Sequence, residues 1–283
     1  MNNRKIGVMA SINLDSVLTH DLFSKILDQF KSYCEQNGFI LTFINSASQF
    51  LAKHSVVDQV KEQDLKGLLL ITGNYDSPEL IDVFGAGFPL VTIDCTRDGA
   101  VSIVSDNESG IRTLTEYIIN EKKHRRLAYI SGDADSVVAQ ARLKNFISTC
   151  ESLGCPISRE YICESRFRDI RLVARRTEEL LNMEVPPTCI FFPDDFSAIG
   201  GINVIHNRGL DVPKDISYCG YDGVNLVGLF DPQICTIMQD TEAMGTAAAK
   251  EMIRMIDNND TGHGEEIVIP TRIQYGHTVS QLH

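Results

Sequence analysis

Short apolar runs recur along this chain at intervals that leave room for one helix between neighbours, and that rhythm is what limits the folds open to it. The clearest case is CIFFPDDFSAIGGINVIHNRGLDVPKDISYCGYDG, residues 189–223. The first run, 189–192, stops at Pro193, Asp194 and Asp195, as a buried parallel strand does at the rim of its sheet. From Phe196 a helix is predicted, with Ile199, Ile202 and Ile205 at helical spacing and Gly209 as its stop. Residues 212–215 turn the chain into a second run, 216–219, which ends in Gly220, Tyr221 and Asp222. Strand, helix and strand in that order form a parallel pair, and both strands bring acids to one edge. In open α/β sheets that edge is where small ligands bind.

The rest of the chain repeats the unit. Residues 6–10 form a strand that gives out at Ser11; Leu22, Ile26, Leu27, Phe30 and Tyr33 mark a helix closed by Gly38; residues 39–44 are the next strand. Val56, Val57, Val60 and Leu65 predict a second helix, 67–71 an all-apolar strand, and Leu80, Ile81, Val83 and Phe84 a third helix before a strand at 89–93. After Asp94 the rhythm breaks. A polar loop and a run at 101–104 lead to Ser105, Asp106, Asn107 and Glu108, which cap a helix carrying Ile111, Leu114, Ile118 and Ile119. Strands at 127–130, 161–163, 234–238, 266–269 and 272–275 follow, with helices over 139–153 and 172–181 and one with Met244, Ala248, Met252 and Met255 on a single face. The pattern implies an α/β fold of two similar lobes, each a parallel sheet flanked by helices. No flexible linker separates the lobes, so three short crossovers near residues 104, 239 and 270 must join them. They are expected to span 1–103 with 240–266 and 104–239 with 267–283, with a ligand cleft between them.

Charge and cysteine content narrow the function. The chain carries 38 acids against 26 bases, a net charge of −12, which makes it a poor nucleic-acid binder by itself. Its densest basic run, Lys122, Lys123, His124, Arg125 and Arg126, reads as a solvated loop ahead of a strand. No apolar run is long enough to span a bilayer and no signal peptide is visible after Met1, so no membrane partner and a cytoplasmic location are expected. Eight cysteines without C-x-x-C spacing fit buried or free thiols better than disulfides or a metal site. Neither a cofactor nor a metal is expected. The chain has no G-x-G-x-x-G after its first strand, no phosphate-binding G-x-x-x-x-G-K-[ST], no G-x-S-x-G and no H-E-x-x-H.

In this order and at these spacings, IGVMAS from Ile6, HRRLAYISG from His124, ARLKNF from Ala141, FFPDDFSAIGGINVI, GLDVPKDIS, GYDG and DPQICTIMQD resemble the effector-binding region of the LacI/GalR family of bacterial transcription repressors, over nearly the whole chain. That region has the type I periplasmic binding protein fold. The resemblance implies a sensing domain that binds a sugar or related metabolite and, as a homodimer, couples its closure to operator DNA. Operator contact in such proteins comes from an N-terminal helix-turn-helix domain. Here the chain starts at the first strand of the sensing region, so that domain is expected to be absent.

Site residues carry over where the sequence matches. Arg142 in ARLKNF falls where the family places an arginine on sugar hydroxyls, and Asp222 in GYDG on its aspartate acceptor. Asp194 stands where many members have asparagine, Asp94 resembles an aspartate facing the ligand from the first lobe, Gln239 sits at the last crossover and Ser11 at the first strand's exit. Asp195 could cap the following helix or touch ligand, and Asp194 could simply be solvated. Phe23 and Phe167 could form an apolar wall for a sugar ring or belong to the core. A periplasmic sugar-transport protein and a carbohydrate-active enzyme using paired carboxylates such as Asp194 and Asp222 are the alternatives.

Overall fold

A computed structural model of the chain describes residues 4–10, 19–71, 75, 77–224 and 231–282. Strand β1 (Lys5–Ala10) is followed by helix α1 (Asp21–Gln36), β2 (Ile40–Phe43), α2 (Ser48–Leu51), α3 (Val56–Glu62), β3 (Leu65–Ile71), α4 (Pro78–Phe84), β4 (Leu90–Ile93) and β5 (Val101–Ser105). Then come α5 (Asn107–Glu116), extended by a π-helical turn over Tyr117–Glu121, β6 (Leu127–Ile130), α6 (Val137–Ser152), β7 (Ile162–Cys163), α7 (Ile170–Leu181), β8 (Cys189–Phe191), α8 (Ala198–Asn207) and β9 (Ser217–Asp222). The chain ends with β10 (Cys235–Met238), α9 (Thr241–Asn258), β11 (Glu266–Ile269) and β12 (Arg272–Gln274).

These elements form two compact units, Met1–Ser105 with Asp240–Ile269 and Asp106–Gln239 with Pro270–His283. The first holds a six-stranded sheet in the order β11-β5-β4-β3-β1-β2, parallel throughout. Both faces are covered, which is why β3 is apolar without a break from Gly67 to Ile71. Leu69 and Ile71 pack with α1 and α9 through Ile26, Phe30, Met244, Ala248 and Met252, whereas Leu68 and Leu70 pack with α3 and α4 through Val56, Val60, Leu80 and Val83. Helix α9 starts where the Asp240 carboxylate takes the Ala243 amide, and it ends at Asn259 in the left-handed region. Two expectations change here. Leu65 opens β3 opposite Lys5 instead of closing a helix, because Asp64 at φ +52° has already turned the chain. Residues 267–269 belong to this first sheet, since β11 pairs with β5 from Glu266↔Ser102 to Ile269↔Ser105.

The second unit's sheet runs β12-β10-β9-β8-β6-β7, with only β12 antiparallel. Tyr129, Phe191, Cys219 and Tyr221 meet α5 and α6 on one face; Ala128, Ile130, Ile190 and Tyr218 meet α7 and α8 on the other. Strand β9 runs on to Asp222 rather than stopping at 219, and α8 starts at Ala198 rather than Phe196. The expected solvated loop is only partly solvated. Lys123, Arg125 and Arg126 are exposed, but His124 is buried, 3.0 Å from Thr188 Oγ1 and 3.0 Å from the Ser280 carbonyl. All eight cysteines are free thiols, and burial pushes those of Cys34, Cys150 and Cys235 up to about 12, far from the reactive thiolate range. No helix among the described residues is long and apolar enough to cross a membrane.

Candidate functional site

Because β6 to β10 run parallel, their carboxyl ends share one edge of the second sheet. That edge collects Gly132 and Asp133 after β6, Ser165 to Phe167 after β7, Phe192 to Asp195 after β8, Asp222 at the end of β9 and Gln239 after β10. Asp222 has φ +104°, a conformation that side chains other than glycine adopt rarely and that recurs at functional positions.

Arg142 and Asp222 come together here. Arg142 projects from the inner face of α6 and is 4% exposed; Asp222 is 8% exposed. The guanidinium lies flat on the Tyr221 ring, with Cζ 3.5 Å from the centroid, and Phe167 stands 5.8 Å away. Its Nε donates to Asn107 Oδ1 at 2.7 Å. Nη1 stops 3.8 Å from Asp222 Oδ1, an ion-pair distance beyond hydrogen-bond reach. Asp222 Oδ1 instead accepts from Gln239 Nε2 at 2.7 Å. Neither Nη1 nor Nη2 has a hydrogen bond among the described residues, so four of the five guanidinium hydrogens are open to another partner.

The other acids at this edge are committed to the protein. Asp194 Oδ1 takes the Ser197 amide at 2.7 Å, while Oδ2 takes the Ser197 hydroxyl at 2.7 Å and the Arg168 amide at 3.0 Å. It is buried, not solvated, and it pins the loop after β7 to the turn after β8. Asp195 caps nothing. Its carboxylate, wholly buried, accepts from the Gly223 amide at 2.8 Å, the Val224 amide at 3.3 Å and the Thr236 hydroxyl at 2.8 Å. Burial first, and the charge of Asp222 second, push the Asp195 carboxyl well above the ordinary carboxylate range.

Phe167 is half-buried and its ring closes over Gly132, where a Cβ would strike it. Its amide is held by Asp133 Oδ2 at 3.0 Å. Asp94 and Phe23 lie in the first unit. Asp94 has φ +54° and accepts the Ser105 amide at 3.1 Å; Phe23 is half-buried, packed on the first core with its ring 4.5 Å from that of His20. Ser11 lies outside the described residues. Three participants are new. Asn107 had been placed among the caps of α5, but Asp106 does that work by taking the Ser109 amide, which releases Asn107 to hold Arg142. Two capping residues in a row, when one suffices, were the available signal. Tyr221 could have been singled out only from the neighbouring Asp222, and the Ser165 hydroxyl, buried without a hydrogen-bond partner among the described residues, left no mark in the sequence. No cluster of three or more His, Cys, Asp or Glu among the described residues could hold a metal.

A parallel-sheet unit with a buried arginine and aspartate at its carboxyl edge is the architecture of a small-molecule binding domain. Residues 117–279 match the periplasmic binding protein-like domain, and the chain belongs to that family. Among characterised relatives, it is 26% identical over 262 residues to the HTH-type transcriptional repressor PurR of Vibrio atlanticus (strain LGP32), covering 91% of this chain and 76% of that one. The PurR repressor of Actinobacillus pleuropneumoniae serotype 3 (strain JL03) is 25% identical over 87% of this chain and 73% of its own. In fold the chain is similar to a Bacillus cereus subsp. cytotoxis NVH 391-98 protein assigned as transcriptional regulator LacI, at a TM-score of 0.89 and 22% identity over 99% of this chain and 100% of the other. A LacI family transcriptional regulator from Enterococcus faecium, solved with bound ribose, matches at 0.82 and 19% identity, covering 99% and 100%. The matched domain and these relatives agree with the LacI/GalR-type effector-binding domain that the motifs imply.

Proposed function

We propose that the chain is the ligand-sensing domain of a transcriptional regulator and that it binds a neutral polyhydroxylated molecule, a sugar or close derivative, through Arg142 and Asp222. The observation that carries this reading is the 3.8 Å gap between Arg142 Nη1 and Asp222 Oδ1. A hydroxyl group fits such a gap because it can accept from the guanidinium and donate to the carboxylate at once. A phosphate or carboxylate would gain from Arg142 but would also meet the charge of Asp222. The half-buried Phe167 ring beside the arginine supplies an apolar surface for a sugar ring. The curated relatives are named as repressors and one structural neighbour holds ribose, which favours a sensor over an enzyme. Glycoside chemistry is a poor fit for Asp194, whose two oxygens are engaged by Ser197 and Arg168. On this reading the chain works in the cytoplasm as a homodimer, with a helix-turn-helix segment contacting operator DNA.

Calorimetric titration with D-ribose, D-glucose and cellobiose, alongside D-ribose 5-phosphate, tests the reading. A neutral sugar should bind, the phosphorylated one should bind less well, and Arg142→Ala should weaken binding at least about 30-fold. The reading fails if no neutral sugar binds or if Arg142→Ala leaves the isotherm unchanged.

A further inference from the structure

Arg142 is one of the two side chains on which the proposed binding rests, and its one hydrogen bond among the described residues goes to a residue of another helix. A guanidinium can rotate about the Nε–Cδ bond and slide across an aromatic face. Stacking on Tyr221 fixes its plane but not where the Nη edge points within that plane. The one hydrogen bond that settles this is Nε to Asn107 Oδ1, at 2.7 Å. It is charge-assisted, buried at the arginine end, and opposite the two Nη groups in the planar fork, so moving the Asn107 oxygen turns the edge offered to a ligand.

Asn107 occupies a particular place in the chain. It is the first residue of α5, two positions after Ser105, where the backbone leaves the first unit, and next to Asp106, where it enters the second. The Asp106 carbonyl accepts from the Thr271 hydroxyl at 3.2 Å, and Thr271 lies just past Ile269 and Pro270, another point at which the chain passes between units. The start of α5 is therefore tied to two of the three passages. A shift there moves Asn107 directly, because Asp106 and Asn107 are consecutive. Gln239, the last residue before the remaining passage, holds Asp222 in the same way.

We propose that Asn107 is a positioning residue for Arg142, making the arginine's aim, and with it ligand affinity, depend on the first turn of α5 beside the chain's passages between units. The inference rests on the reading of Arg142 as a ligand contact. It deepens that reading by naming a residue that sets the direction of the arginine from another helix.

The experiment uses the whole chain, the three neutral sugars above, and the variants Asn107→Ala, Asn107→Asp and Arg142→Ala. Asn107→Ala removes the acceptor, whereas Asn107→Asp keeps an oxygen facing Nε. The expected result is that Asn107→Ala weakens the bound sugar about tenfold while Asn107→Asp stays within about threefold of the parent chain. Two further readouts separate positioning from mere support of the fold. The Arg142 Nε–H signal in proton–nitrogen NMR should exchange faster in Asn107→Ala, and sugar-induced protection of the backbone amides at 105–109 from hydrogen exchange, present in the parent, should be lost. If a sugar binds and Arg142→Ala abolishes binding, but Asn107→Ala leaves affinity and protection as in the parent, the inference is overturned while the proposed function stands. If Asn107→Ala lowers affinity only in step with a loss of thermal stability that Asn107→Asp does not restore, the role is structural and the inference is again overturned. If no sugar binds, or Arg142→Ala has no effect, the proposed function falls and takes this inference with it.

Discussion

The two units are built alike and differ in what they bury. Each has a six-stranded sheet with helices on both faces, and each ends a strand with an aspartate at positive φ: Asp94 after β4 and Asp222 on β9. Among the described residues, the buried polar side chains of the first unit are Gln59, Thr92, Ser102 and Ser105, none of them charged. Thr92 and Ser102 share the Cys95 carbonyl at 2.6 Å each and so tie down the loop after β4. The second unit buries Arg142, Asp194, Asp195, Asp222 and His124. Burying charge is unfavourable unless geometry compensates, and four of these five lie along one sheet edge. The same scaffold therefore buries only uncharged polar side chains among the described residues of one copy and gathers ionisable ones along a sheet edge in the other. A fold comparison alone would not distinguish them.

The sharpest way to break that comparison is to remove a charge from each unit. Arg142→Ala leaves Asp222 buried beside a neutral amide, and it should cost about 3 kcal/mol of stability. Asp94→Asn keeps an oxygen for the Ser105 amide, and its cost should be about 0.5 kcal/mol. Urea unfolding of the two variants checks both values. Equal losses would mean that the buried charges of the second unit carry no special energetic weight.

A somewhat smaller effect probes the Asp195 latch. On β9, a Cβ at Gly220 would run into Asp195 Oδ1, so only glycine lets the strand pass the carboxylate that holds Gly223, Val224 and Thr236. Gly220→Ala should destabilise the parent by about 2 kcal/mol but should cost less when added to Asp195→Ala, because the clash is then gone. An equal cost in both backgrounds would place the strain in the strand itself and not in its contact with Asp195.

Much of the fold was legible because periodicity reports burial. Alternate residues of β3 face different helices, so both sets are apolar, and the four methionine and alanine positions of α9 all land in the first core. That Arg142 and Asp222 would lie close together was implied by the resemblance to the LacI/GalR family, and they stand 3.8 Å apart. Less visible were features created by partners far apart in sequence. His124 sits within a basic run whose other members at 123, 125 and 126 are exposed, and only the later arrival of Thr188 and Ser280 makes it a buried residue. Asp194 and Asp195 are adjacent acids at a strand exit, and nothing local reveals that one would fasten a loop at Arg168 and the other the backbone after Gly223. Leu65 reads as helical by spacing because the turn at Asp64 depends on backbone geometry that apolar periodicity does not register.

His124 yields the smallest expected effect and the most specific one. The Ser280 carbonyl can only accept, so Nε2 carries the proton, and Nδ1 lies 3.0 Å from the Thr188 hydroxyl, which is itself 3.1 Å from the Arg126 carbonyl. Burial lowers the pKa of His124 from 6.5, outweighing the Ser280 carbonyl, which raises it; Lys122 adds to the lowering. Below 6.5 the unfolded chain therefore takes up a proton that the folded ring resists, and stability falls as pH falls through the interval between the two values. Asp195 acts in the opposite sense, because a carboxyl with a raised pKa withdraws stability as pH rises from the ordinary carboxylate range. The difference between the parent chain and His124→Gln isolates the histidine. In urea titrations carried from above pH 6.5 to below it, the parent's unfolding midpoint should drop further than the variant's. Parallel midpoints in the two proteins would show that His124 titrates alike folded and unfolded, so that burying this neutral ring adds no pH dependence to the second unit.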